Sequence, residues 1–152
     1  MNFIMGILTN ELFISAAVAW AIAQVSKVVI DIVKGNFSID RLTGSGGMPS
    51  SHSATVTGLA TASGILYGGK SFEFAMAFFF AFVVIYDALN VRNAAGKEAE
   101  ILNRLRQRDI DEGKKAVYEK PLQEKLGHTI LEVLAGIAIG IVAAAIVCRI
   151  MG

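Results

Sequence analysis

Cysteine is nearly missing: Cys148 stands alone in the last apolar run, which leaves no disulfide framework and argues against a redox role. Proline occurs only twice, and Pro49 and Pro121 both fall between the apolar runs. The first ten residues hold no Lys or Arg, so the basic start of a cleavable signal peptide is missing and the first apolar run reads as a retained helix. A formal net charge of +1 gives no argument for a nucleic-acid partner. No short metal-ligand spacing such as His-Glu-x-x-His occurs, so neither a metal nor another cofactor is expected. Repeats and low-complexity segments are absent too, and 152 residues make one domain, residues 1–152.

Apolar residues are what the chain has in excess, at 54%, together with 15 glycines. Four apolar runs, at about 11–33, 53–69, 72–91 and 129–148, approach the roughly 20 residues of helix that span a bilayer. The expected fold is therefore all-α, an integral membrane bundle of about four transmembrane helices. The second run is short and rich in Ser, Thr, Ala and Gly, so its neighbours should shield it. In the fourth, Gly136, Gly140 and Ala144 form a small-xxx-small stripe that permits close helix contact. That stripe fits packing within one bundle or a homodimer contact.

Charge placement sets the topology. Lys34 and Arg41 lie between the first two runs, and Arg92, Lys97, Arg104, Arg106, Arg108 and the lysines from Lys114 to Lys125 lie between the last two. With four spans both connections share one face, and the excess of Lys and Arg predicts that this face is cytoplasmic. Within the longer connection, Ala94 to Arg108 is rich in helix formers, and Glu100 and Arg104 form a favourable i,i+4 pair. An amphipathic helix is expected there, with a break around 109–113 and a second short helix over 114–125, interrupted at Pro121.

Histidine is also rare, and both copies stand at the mouth of an apolar run. An imidazole can act as nucleophile or general acid near neutral pH. His52 follows Gly44, Gly46, Gly47, Pro49, Ser50 and Ser51, a turn that reads as a helix start. Free N–H groups in such a nest and at a helix N-terminus bind anions, and the serine hydroxyls add donors. His128 stands four residues before Glu132. The first run carries a polar stripe, Gln24, Lys27, Asp31 and Lys34, and ionisable groups in a membrane helix face a protein interior or a wet cavity. Lys27 is deep enough for that, with Asp31 at i+4 as its partner, whereas Lys34 equally fits a snorkelling helix end.

Pro49-Ser50-Ser51-His52 and His128-xxx-Glu132 resemble the second and third motifs of the type-2 phosphatidic acid phosphatase and vanadium-dependent haloperoxidase superfamily. The chain as a whole resembles its short divergent branch of small membrane proteins. The likeness runs through Ala23, Gln24 and Lys27, the Ser45–Ala54 segment, Tyr86-Asp87-Ala88, Val91-Arg92, Ala95-Gly96-Lys97, Leu102-Asn103 and Leu126-Gly127-His128. It covers roughly residues 20–145, and the Gly-Gly-Met-Pro-Ser-Ser-His run carries most of its specificity.

The resemblance implies a phosphatase site. His128 would attack phosphorus and carry a phosphohistidine, Glu132 would orient it, and His52 would protonate the leaving alcohol. Ser50, Ser51, Gly46, Gly47, Lys27 and Arg92 would hold the phosphate, with no metal needed if Lys and Arg supply the positive charge. The superfamily's first motif is Lys, six residues, then Arg-Pro; Lys34 and Arg41 have that spacing, but Leu42 follows. Lys27 matches the divergent branch instead and is preferred. The arginine six residues before the third-motif histidine is replaced by Leu122, so Arg92 is the proposed substitute, and Asp87 about one turn deeper fits equally a group that orients it or a helix–helix hydrogen bond. The implied substrate is a membrane lipid phosphate, a phosphomonoester or diphosphate on an apolar tail. A non-catalytic protein that binds anionic lipid or scaffolds a partner is the alternative.

Overall fold

Helices make up all the regular structure in residues 3–35 and 47–152, which the computed structural model of the chain describes. A short α1 (Phe3–Leu8) leads into α2 (Glu11–Val33), started by Asn10, whose side chain accepts from the Phe13 N–H. α3 (Ser51–Tyr67) follows, then α4 (Phe72–Tyr86), whose Ser71 cap accepts from the Phe74 N–H. From α4 the chain runs without a break through a π-helical turn, Asp87–Val91, into α5 (Arg92–Asp111). α6 (Ile130–Met151) closes the order.

Burial along α2 shows how the sequence builds a membrane bundle. Its buried residues are Ser15, Ala19, Ala23, Lys27 and Asp31, one every four positions, while Val25, Val29 and Ile32 face outward. Small and polar residues are inside and large apolar ones outside, the reverse of a water-soluble helix. The same holds where Phe78, Phe79 and Phe82 of α4 and Leu134, Val142 and Ile146 of α6 are exposed. Three helical stretches are long and apolar enough to cross a membrane: Glu11–Val33, Phe72–Asp111 and Ile130–Met151.

The second expected span is the 17-residue α3, shorter than those three and enclosed by α2, α4 and α6. Shielding by its neighbours, expected from its Ser, Thr, Ala and Gly content, is what the structure has: Ser53, Ala54, Gly58, Ala62 and Ser63 are all buried. Gly136 and Gly140 let α6 meet α3 backbone to backbone. A Cβ on Gly140 would lie 2.6 Å from the Ala54 carbonyl and 2.8 Å from the Gly58 nitrogen. The small-residue stripe of α6 is thus used inside the bundle. With lipid as apolar as the interior, such close backbone approach and its dispersion contacts hold the helices together.

The long connection departs from expectation in two ways. Its amphipathic helix is no separate element but the end of a continuous 40-residue helix, Phe72–Asp111, about 60 Å long at 1.5 Å per residue. Residues 114–125 contain no helix. The Asn103 amide donates to the Leu122 carbonyl and accepts from its N–H, each at 2.8 Å, and Arg106 donates to the carbonyls of Tyr118 and Glu119. Backbone groups that a helix would pair internally are committed to α5, so the segment lies along it without forming a helix of its own. The Glu100–Arg104 ion pair forms as the spacing predicts.

Candidate functional site

α2 runs toward one end of the bundle, α3 and α6 start there, and α4 passes into α5 there. Four elements thus bring their rare polar residues to one place. Lys27 is 6% exposed, buried on the inner stripe of α2. Its methylenes lie along Gly47, where a Cβ would sit 3.7 Å from Lys27 Cγ and Cδ. Gly47 has φ +88°, a backbone conformation that other residues rarely adopt.

Ser50, fully buried, is the N-cap of α3: its Oγ accepts from the Ser53 N–H and from the Ser53 hydroxyl. Helix geometry leaves the N–H groups of the first turn, where Ser51 and His52 lie, outside the helical ladder. Thr129 caps α6 in a reciprocal box, with the Glu132 N–H donating to Thr129 Oγ1 and the Thr129 N–H donating to Glu132 Oε2 at 2.9 Å. The Ser50 N–H donates to the Glu132 carbonyl at 2.9 Å, which ties the two helix starts together. Two positive dipole ends therefore face the same region, an arrangement that favours an anion.

The π-helical turn supplies the arginine. A backbone ring closing five residues back stacks position 92 over position 87, and the Arg92 N–H donates to the Asp87 carbonyl. The side chains stack likewise: Arg92 Nε donates to Asp87 Oδ2 at 2.6 Å, with both groups a little over a third exposed. Asp87 thus holds the Arg92 guanidinium at its Nε.

His128 is 3% exposed, and among the described residues neither Nδ1 nor Nε2 has a hydrogen-bond partner. Its ring stands edge-on to that of His52, with centroids 6.4 Å apart and planes at 76°. Burial holds the His128 imidazole below its ordinary value of 6.5; Glu132 opposes this, while the charges of Lys27, His52 and Arg92 add to it. A buried, neutral imidazole with an unclaimed ring nitrogen and two nearby cations is equipped to attack an electrophile bearing negative charge.

Lys27, Ser50, Ser51, Gly47, His52, Arg92, His128 and Glu132 lie in this region, with Asp87 behind Arg92. Lys34 sits exposed at the end of α2, apart from the buried stripe. Gly46 and Arg41 lie outside the described residues. The Glu132 carboxylate, expected to orient His128, has one oxygen in the capping box and acts on the imidazole through its charge. Among the described residues no three His, Cys, Asp or Glu side chains group to hold a metal ion.

Three further contributors, Ala88, Asn93 and Gly127, are residues to which the sequence gives no role in the site. The His128 N–H donates to the Ala88 carbonyl at 3.0 Å. Asn93 Nδ2 donates to the carbonyls of His128 and Leu89, at 3.1 and 2.7 Å. Gly127, at φ +85°, makes that approach possible, because a Cβ there would fall 2.5 Å from Asn93 Oδ1. Ala88 and Gly127 fall within motifs visible in the sequence, whereas Asn93 does not.

Among known proteins, the model of a family described as the Divergent PAP2 family matches residues 8–143. The chain is 37% identical over 147 residues to YuiD of Bacillus subtilis (strain 168), an uncharacterized membrane protein, covering 90% of this chain and 93% of that one. No solved structure matches it.

Proposed function

The chain belongs to the Divergent PAP2 family and is a membrane protein, and from that premise we propose that it hydrolyses a lipid phosphate through a phosphohistidine. The observation that carries this reading is His128: buried, unpartnered at both ring nitrogens among the described residues, and 6.4 Å from the second imidazole. In the proposed reaction a nitrogen of His128 bonds to phosphorus as the ester oxygen leaves. His52 gives that oxygen its proton and then takes one from the water that releases phosphate. Lys27, Arg92 and the starts of α3 and α6 neutralise the equatorial oxygens, so no metal is called for.

The topology belongs to the same reading. α2, α3, α4 and α6 all cross, and the site opens at one membrane face, which the surplus of Lys and Arg makes the cytoplasmic one. A tail in the bilayer and a head at that face would suit a phosphomonoester or diphosphate lipid.

Purified protein in detergent, given a panel of lipid phosphates with EDTA present, tests the proposal through phosphate release. Release that His128→Ala abolishes, and that vanadate inhibits, is the expected result. The capping-box commitment of Glu132 favours a second reading, an anion site that binds lipid without turning it over. Lipid binding that depends on Lys27 and Arg92, with no phosphate released, would install that reading instead.

A further inference from the structure

The π-helical turn does more than deliver Arg92. In a regular α-helix the Arg92 N–H would close on the Ala88 carbonyl, four residues back. Here it closes on Asp87. The buried Ala88 carbonyl accepts instead from the His128 N–H, at 3.0 Å. One residue beyond Arg92, the Asn93 amide bridges the Leu89 carbonyl of the same turn and the His128 carbonyl. The histidine is therefore gripped at both backbone groups by one turn of helix, and among the described residues its side chain has no hydrogen bond to steady it. Gly127 is the approach that makes the grip close enough.

We propose that Asn93 is a positioning residue, which with the π-helical turn clamps the backbone of His128 and fixes its imidazole relative to Arg92. The proposal rests on the reading of His128 as the reacting group. It accounts for an otherwise wasteful arrangement, a helix that gives up a regular hydrogen bond beside a loop histidine. The same turn holds the cation through Asp87 and Arg92 and the imidazole through Ala88 and Asn93. Registry between the two is then a property of one element, unaffected by the connection 112–127. Removing the Asn93 amide frees one side of the clamp and leaves Ala88 as a hinge.

The chain's two histidines make the test direct. In a His52→Ala background, the only imidazole that diethyl pyrocarbonate can acylate is that of His128, and the rate at which the carbethoxy-imidazole absorbance appears reads its exposure. Full-length protein in detergent should be modified slowly, and several-fold faster when Asn93→Ala is added. Asn93→Asp, which keeps the shape but removes both N–H donors, should act in the same direction. With His52 restored, Asn93→Ala should lower kcat by roughly 100-fold with little change in KM, as for a misplacement of about 1 Å. Unchanged modification in folded Asn93→Ala protein, or an effect confined to KM, would overturn the proposal. So would loss of folding in both variants, which would make Asn93 a determinant of the fold. Inorganic phosphate should protect His128 from modification. Failure of that protection strikes the phosphate-site reading alone, because the unprotected rates still decide the role of Asn93.

Discussion

At the scale of the residue, the two imidazoles differ in surroundings and therefore in expected role. His128 is buried and sits beside Glu132, whereas His52 is exposed in the first turn of α3. His128→Ala should abolish both turnover and the labelled phosphoenzyme, measured by rapid quench. His52→Ala should slow hydrolysis of an alkyl phosphate by about 100-fold or more, the usual worth of a general acid. It should slow a nitrophenyl phosphate far less, since that leaving group departs without a proton. Equal losses on both substrates would remove His52 from the acid role.

His128 also gives a dependence on pH with a definite sign. Its folded value lies below the ordinary 6.5, so below that pH the unfolded chain binds a proton that the folded one resists. The stability contributed by the neutral, buried ring is fully present above about 6.5 and is lost as pH falls through the folded value. Thermal unfolding in detergent should show a midpoint that drops in that window, and His128→Phe should flatten the drop. A midpoint that rises on acidification would contradict the sign.

At the scale of the element, legibility follows the physics of each segment. Long apolar runs announced α2, α4 and α6, because a bilayer demands them and nothing local opposes helix. The polar stripe of α2 announced Lys27, since a buried charge among Ala19, Ala23 and Val residues stands out by type. The π-helical turn was invisible: its register is set by what Ala88 and Asn93 meet across the chain, and backbone hydrogen bonds leave no mark on residue type. The helix expected over 114–125 failed for a related reason, as Asn103 and Arg106 claim its carbonyls. The α3–α6 contact was legible as a small-residue stripe, though its partner was open to two readings. It now makes a prediction. Gly140→Val places carbon atoms against the Ala54 carbonyl and the Gly58 nitrogen, both nearer than 3 Å to a Cβ. Overpacking of that kind costs about 1–3 kcal/mol. Unfolding in a mild denaturing detergent should shift accordingly, while Leu134→Val on the exposed face should leave it nearly unchanged.

At the scale of the whole molecule, orientation decides what the site can meet. The end that holds Lys27, His52 and His128 is also where α5 carries its arginines away from the bundle, and the opposite end holds Gly68, Gly69 and Lys70 between α3 and α4. With the surplus of Lys and Arg on the site end, positive residues should keep it in the cytoplasm. The single native cysteine is buried at 7% exposure, so an introduced thiol can be read against a quiet background. Lys34→Cys and Ile110→Cys, both at exposed positions, should resist a membrane-impermeant maleimide in intact cells and react once the cells are opened. Gly69→Cys should react in intact cells. Labelling of Lys34→Cys and Ile110→Cys from outside, with Gly69→Cys protected, would invert the protein and put the proposed phosphate site on the outer face. Opposite sides for Lys34→Cys and Ile110→Cys would break the four-crossing arrangement. In that case α3 would not cross, and the start of α6 could not share a face with the end of α2.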